Sequence, residues 1–138
     1  MRPTETDVDD HLRRAADRTL TEMDAIITGI LTGRSRRLWA GTFWGGTEQE
    51  IIGYADIAQP RPRGRSVEWF AVGLASQKNR YSLYVNVADE GRYLSRMYAE
   101  RLGRVKVGAA AIAFEDVDSF DRDALTEMLR HVDRLTPP

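Results

Sequence analysis

The chain of 138 residues contains no cysteine and only two histidines, His11 and His131. The absence of cysteine excludes disulfides, thiolate zinc sites, iron–sulfur clusters and cysteine nucleophiles together, since each of these needs a thiol group. Two imidazoles so far apart in the chain also exclude a histidine-rich metal site and leave few candidates for a Ser-His-Asp triad. Any function of the chain must therefore use other side chains.

The chain also lacks a long apolar run. No segment approaches the roughly 20 residues of a membrane-spanning helix, and the first residues lead into acids rather than into the apolar core of a signal peptide. We therefore expect a cytoplasmic protein. Its net charge of −1 provides no overall field that would attract nucleic acid or an anionic membrane, so any binding site must be local.

Lysine is scarce, because Lys78 and Lys106 are the only lysines among 20 basic residues. Either lysine could occupy a position that needs a compact ammonium rather than a planar guanidinium, although biased codon usage explains the same composition. The remaining composition is ordinary, with 42% hydrophobic and 30% charged residues. Length and composition together predict one globular domain over residues 1–138.

Apolar residues recur every three or four positions in three segments, which predicts three helices. The first covers about residues 6–28, the second covers residues 89–103, and the third begins at about residue 121. Between and after the first two helices, alternating apolar residues predict strands over residues 38–44, 50–58, 66–75, 81–87 and 105–114. Short links make the first four strands antiparallel neighbours. The predicted fold is α+β, with a single antiparallel sheet of about five strands, an N-terminal helix, one inserted helix and a C-terminal helix.

The stretch LWAGTFWGG, residues 38–46, raises the question of a binding site. Alternation along a strand places Trp39 and Trp44 on opposite faces of the sheet, so one of them is expected on the less covered face. Three glycines on the strands would leave room for a ligand to approach the backbone, although tryptophans that fill a core and glycines that allow curvature explain the same pattern. The ligand-binding candidates are Trp39, Trp44, Glu68, Trp69, Lys78, Tyr84 and Lys106.

Two acidic segments, one on the first predicted helix and one around the start of the last helix, raise the question of a metal site, because hard cations bind several converging oxygens. Around the start of the last helix, the weak metal-binding candidates are Asp121, Asp123 and Glu127. Asp121 and Asp123 are equally typical of a helix cap and of a charge in the first helical turn. No spacing of a nucleophile, a base and an acid is present, and no phosphate-binding loop matches, so no catalytic residue is predicted.

The segments FWGGTEQEIIGYADI, VEWFAVGLASQKNRYSLYV and YAERLGRVKVGAAAIAFEDV resemble successive motifs of the YdhG-like domain family, a bacterial family of unknown function. The resemblance covers about residues 39–131 and implies a compact α+β fold with helices at both ends. One branch of the family is described as a frataxin-like iron chaperone that uses acidic surface residues. This chain departs from that branch at Asn79 and Arg80, whereas Lys78, Tyr84 and Lys106 match motif positions of the family.

Three functions follow from these observations as hypotheses. The first is a non-enzymatic binding or accessory protein whose sheet face holds a small ligand or a segment of a protein partner. The second is a carrier of ferrous iron, and the third is an enzyme of unknown reaction that uses Lys78 or Glu68 as an acid or base. Composition leaves both a monomer and a dimer open.

Overall fold

The computed structural model describes residues 1–43, 47–59, 64 and 66–138. Trp44, one of the predicted ligand-binding residues, lies outside these ranges. No helix within them is long and apolar enough to cross a membrane. The described strands are β1 (Arg2–Pro3), β2 (Arg36–Phe43), β3 (Thr47–Gln59), β4 (Val67–Gln77), β5 (Arg80–Val85), β6 (Ala88–Asp89), β7 (Arg92–Tyr93), β8 (Lys106–Val107) and β9 (Ala111–Phe114). The described helices are α1 (Val8–Ala15), α2 (Arg18–Ile30), α3 (Leu94–Met97) and α4 (Arg122–Leu135), with 3₁₀ turns at Ala99–Arg101 and Val117–Ser119.

Seven of the described strands form one antiparallel sheet in the order β1-β2-β3-β4-β5-β9-β8. The predicted meander corresponds to β2 through β5, and the prediction of an α+β protein with an antiparallel sheet is confirmed. The sheet has more strands than the predicted five, because the two-residue strands β1 and β8 extend its edges. Such short edge strands expose few unpaired backbone N–H and C=O groups with which another chain could pair.

The predicted N-terminal helix is two helices. Ala16 adopts a left-handed conformation with φ of 48° and ends α1, and the carboxylate of Asp17 then accepts a hydrogen bond of 3.1 Å from the backbone N–H of Leu20. An N-cap of this kind starts a new helix. The apolar periodicity continues across the break, which is why the sequence pattern predicts a single helix.

The prediction that the inserted helix starts at residue 89 is also wrong. Residues 88–93 form the hairpin of β6 and β7, and its turn residues Glu90 and Gly91 have φ of 50° and 81°. Positive φ at both central residues is the requirement of a type I′ turn. The helical part is reduced to α3 and the following 3₁₀ turn.

The predicted strand over residues 105–114 is divided between β8 and β9, which pair with each other. A turn separates them, closed by a backbone hydrogen bond of 2.7 Å from Gly108 to Ala111. The C-terminal helix is confirmed in its place, because α4 begins at Arg122 with Asp121 as its N-cap.

The helices pack on one face of the sheet. The main core lies between them and contains residues of α2 and α4 together with inward-facing residues of β2 through β5 and β9, among them Met23, Ile27, Leu38, Ile52, Leu74, Leu83, Leu125 and Met128. A smaller cluster, which we call the aromatic cluster, lies on the other face and consists of Trp39, Ile51, Phe70, Ala75 and Tyr84, with Trp69 and Met1 packed against it. Each face of the sheet therefore carries buried side chains.

A buried polar network fastens α1 and α2 to the sheet. The carboxylate of Asp24 accepts hydrogen bonds from the Tyr54 hydroxyl at 2.7 Å and from Arg36 at 3.0 and 2.7 Å. Arg36 also donates to Asp9 at 2.9 Å. Because Asp24 is only 7% exposed, these partners compensate the loss of its hydration.

The alternation of side chains along β3 changes at Ala55, which has φ of 61°. Tyr54 and Ala55 are neighbours in sequence, yet both belong to the main core. From this point the Asp56 carboxylate reaches Arg37, which lies against Trp39 of the aromatic cluster. A left-handed residue within a strand thus exchanges the faces that the following side chains occupy.

The ladder between β3 and β4 is incomplete. Its last pair is Ile52 with Leu74, although β3 extends from there back to Thr47 and β4 continues to Gln77. Over the same residues, β2 remains paired with β3 and β4 remains paired with β5. The sheet therefore divides into two hairpins beyond Ile52 and Leu74, and we call this division the fork.

Candidate functional site

A groove of about 1210 Å³ lies at the fork on the helix side of the sheet. The strands supply Ala40, Ile52, Leu74 and Ser76, and α2 supplies Leu20. Ile52, Leu74 and Leu20 are almost fully buried and form an apolar base. The volume exceeds the roughly 300 to 1,000 Å³ of common small-molecule pockets, so the groove has room for a ligand larger than a single amino acid.

The two strand walls of the groove carry opposite charges. Glu48 and Glu50 belong to β3, whereas Lys78 and Arg80 belong to the turn and strand that follow β4. All four side chains are exposed. Within the part of the chain that the structure describes, none of the four forms an ion pair. The walls can therefore offer charge to a ligand without first breaking an internal ion pair.

The junction of α1 and α2 covers the groove from above, with His11, Ala15 and Asp17 in its lining. Asp17 holds this junction against the sheet, because its carboxylate accepts a hydrogen bond of 2.7 Å from the hydroxyl of Tyr81 on β5. Burial and the neighbouring Asp17 carboxylate raise the pKa of Tyr81 above its ordinary value, so the phenol remains a donor at neutral pH. The Asp17 carboxylate therefore both caps α2 and positions the helix junction that covers the groove.

Among the predicted ligand-binding residues that the structure describes, only Lys78 lines the groove. Trp39, Trp69 and Tyr84 lie in or against the aromatic cluster on the opposite face. Glu68 lies at the margin of that cluster, where it pairs with Arg37. Lys106 is exposed on the edge strand β8, opposite Ala113. The structure therefore brings the two tryptophans, Tyr84 and Glu68 to one face and separates Lys78 from them.

The aromatic cluster is filled by its own side chains. The ring centroid of Trp39 lies 5.8 Å from that of Trp69 and 5.3 Å from that of Phe70, with the rings edge to face in both pairs. Trp39 itself is 1% exposed. A Cβ atom on Gly53 would lie 2.6 Å from the Trp39 ring, and one on Gly73 would lie 2.4 Å from the Phe70 ring. The expected space above these glycines is thus occupied by the protein, and the arrangement is that of a small second core.

Tyr84 takes part in this second core through hydrogen bonds. Its hydroxyl accepts from the Gln77 amide at 3.2 Å, and Gln77 in turn accepts from Ser82 at 2.8 Å. Burial raises the pKa of the Tyr84 phenol, while the hydrogen bonds of Ser82 and Gln77 oppose the shift. Whether the aromatic face binds a ligand remains a prediction.

The three acidic metal candidates of α4 have other partners or positions. Asp121 caps the helix by accepting a hydrogen bond of 3.0 Å from the N–H of Ala124, and Asp123 lies in the first turn. Glu127 pairs with Arg101, which lowers the pKa of its carboxyl. Within the described ranges, no group of three or more His, Asp or Glu side chains is arranged to hold a metal ion. Iron binding remains a prediction.

Comparison with known proteins finds no matching family model, no matching curated protein and no matching solved structure. The resemblance to the YdhG-like domain family therefore remains a prediction.

Proposed function

We propose that this protein is a non-enzymatic binding protein whose groove at the fork holds a ligand with an apolar body and charges of both signs. The observation that carries the proposal is the pairing of an apolar base with two strand walls of opposite, unpaired charge. An ammonium group of the ligand would lie towards Glu48 and Glu50, and a carboxylate would lie towards Lys78 and Arg80. Ligand sites commonly combine apolar walls with a few convergent polar groups.

Four related probes test the charge requirement directly. Phenylalanine carries both charges, its amide carries only the ammonium, N-acetylphenylalanine carries only the carboxylate, and the N-acetyl amide is neutral. We expect affinity to fall in that order from the zwitterion to the neutral compound, with both singly charged probes between them. Saturation-transfer NMR at millimolar probe concentration measures the series. Equal affinities for all four, or no binding by any of them, would refute the proposal.

The two lysines provide a matched pair of variants. Lys78→Glu reverses a charge on the groove wall, whereas Lys106→Glu makes the same change on the edge strand β8. We expect Lys78→Glu to weaken phenylalanine binding about three- to tenfold, in line with about 1 kcal/mol for an exposed charge pair. Lys106→Glu should leave the affinity unchanged. A site on the aromatic face that uses both lysines predicts a loss in each variant.

A second matched pair tests the acidic wall. Glu50→Lys changes the groove, and Glu115→Lys makes the same charge change at an exposed position outside it. Only Glu50→Lys should weaken binding of phenylalanine amide, which offers an ammonium but no carboxylate. N-acetylphenylalanine, which lacks the ammonium, should bind this variant at least as well as it binds the unchanged protein.

A further inference from the structure

The fork leaves strand edges of the sheet without ladder partners inside the groove. Beyond Ile52 and Leu74, residues 47–51 of β3 and residues 75–77 of β4 face each other across the fork, and the described chain has no β3–β4 pairing there. Alternate residues direct their backbone groups to the intact ladders with β2 and β5. Within the described ranges, the N–H and C=O groups that face the fork are therefore those of Glu48 and Glu50 on β3 and of Ser76 on β4. Unpaired strand edges are the surfaces to which extended peptides add.

We propose that the ligand of the groove is an extended segment of a partner protein, which enters the fork as an additional strand between β3 and β4. This inference rests on the proposed function and specifies its ligand. Because β3 and β4 are antiparallel, the incoming segment runs antiparallel to one of them and parallel to the other. Because only Glu48, Glu50 and Ser76 have backbone groups that face the fork, the paired part of the segment is limited to about three residues.

The side chains around the fork define the chemistry of the segment. Side chains of an inserted strand alternate between the two faces of the sheet. Those on the helix side enter the groove between the acidic wall of Glu48 and Glu50 and the basic wall of Lys78 and Arg80. A segment with one basic and one acidic residue two positions apart complements both walls, whereas a segment of one charge sign is repelled by one of them.

On the opposite face, Ile51 and Ala75 belong to the aromatic cluster, and beyond them the fork is closed only weakly. The Gln77 amide donates to the Gln49 carbonyl across the fork at 3.5 Å, the long limit for a hydrogen bond. Such a contact contributes little, so an entering backbone replaces a weak bond by regular ladder bonds. The intervening side chains of the segment then lie towards Gln49 and Gln77, at the border of the aromatic cluster.

The probe that tests this inference is the blocked hexapeptide of sequence Thr-Lys-Val-Glu-Val-Thr, which places Lys and Glu on one face. Two twins carry N-methyl groups, one on both Val residues and the other on Lys and Glu, and so remove the backbone donors of one edge each. We expect the twin that loses its donors towards β3 to bind at least about tenfold more weakly than the parent, because Glu48 and Glu50 accept two ladder hydrogen bonds, and the other twin to bind about fivefold more weakly, because Ser76 accepts one. In the complex, amide hydrogen exchange should slow at Glu48, Glu50 and Ser76, whose N–H groups face the fork.

The outcomes separate this inference from the proposed function. If either twin binds as well as the parent peptide, or if exchange at the two edges is unchanged, the strand between β3 and β4 is refuted. If the four phenylalanine probes bind in the expected order while the parent peptide fails to bind, the groove is a site for a small zwitterion and only the peptide inference is wrong. If neither the peptide nor phenylalanine binds, both proposals are wrong.

Discussion

Replacement of Tyr54 by Phe provides the sharpest test of the network that fastens α1 and α2 to the sheet. The Tyr54 hydroxyl donates to Asp24 at 2.7 Å in a fully buried position. Loss of a hydrogen bond to a charged acceptor costs about 1.5 to 3 kcal/mol. The remaining partner of Asp24 is Arg36, so the carboxylate stays paired in the variant. We therefore expect a loss of about 2 kcal/mol in the free energy of unfolding at neutral pH.

The difference between wild type and Tyr54→Phe should also depend on pH. Burial first, and the Asp24 carboxylate second, raise the pKa of Tyr54 well above its ordinary value. The folded protein thus keeps the phenol proton at a pH where the unfolded chain releases it. The stabilising contribution is complete below the unfolded pKa of about 10 and decreases as the pH rises above it, by about 1.4 kcal/mol at one unit above that value.

Urea denaturation followed by circular dichroism at neutral pH and at alkaline pH measures both quantities. The loss caused by Tyr54→Phe should be largest at neutral pH and should shrink above pH 10, because only the wild type has a Tyr54 proton to lose. The other tyrosines are present in both proteins and cancel in the comparison. A difference that is the same at both pH values, or a variant as stable as wild type, would contradict the buried hydrogen bond.

Three further predictions use matched pairs. Ala16→Gly should raise the free energy of unfolding by about 1 kcal/mol, because Gly suits the left-handed end of α1. Ala15→Gly, inside the helix, should lower the free energy of unfolding by a similar amount. Thermal denaturation of both variants measures these changes, and equal effects would contradict the break at Ala16. Gly53→Ala should lower the free energy of unfolding by about 1 to 3 kcal/mol, because the added methyl group meets the Trp39 ring. A methyl group on Gly29 would meet no atom outside its own helix within 4 Å, so Gly29→Ala should be neutral or stabilising in the same assay. A neutral Gly53→Ala would contradict the packed second core. Arg36→Ala should cost about 3 to 5 kcal/mol because it leaves the buried Asp24 carboxylate without its cation. Arg18→Ala, which removes an exposed pair with Glu22, should leave the free energy of unfolding nearly unchanged; similar losses in chemical denaturation would contradict the difference in burial.

The antiparallel sheet and the last helix follow from the sequence because their signals are local. Alternation from β2 to β5 and short connections are enough for a meander, and Asp121 before an apolar stripe is enough for the start of α4. The predictions fail where a single residue overrides a longer pattern. Asp17 divides one periodic segment into two helices, and the turn at Glu90 and Gly91 replaces the expected start of a helix.

The candidate site is less accessible to sequence reasoning. The apolar residues at the base of the groove and the charges on its walls look like ordinary core and surface residues of a strand. The property that makes them a site is the end of the β3–β4 ladder at Ile52 and Leu74, and no residue pattern within either strand encodes where two strands separate. The aromatic stretch around Trp39 is conspicuous in sequence, yet the Trp39 ring itself fills the space above Gly53. Of the predicted residues within the described ranges, Lys78 alone lines the groove.

The most direct measurement of the central claim is a protein-observed NMR titration with phenylalanine that follows side-chain signals, because each side chain of a strand points to one face of the sheet. We predict that the largest shifts occur at Ala40, Ile52 and Ser76, in the groove at the fork. Shifts concentrated instead at Trp39 and Trp69, or no shifts at millimolar phenylalanine, would contradict the assignment of the groove as the binding site.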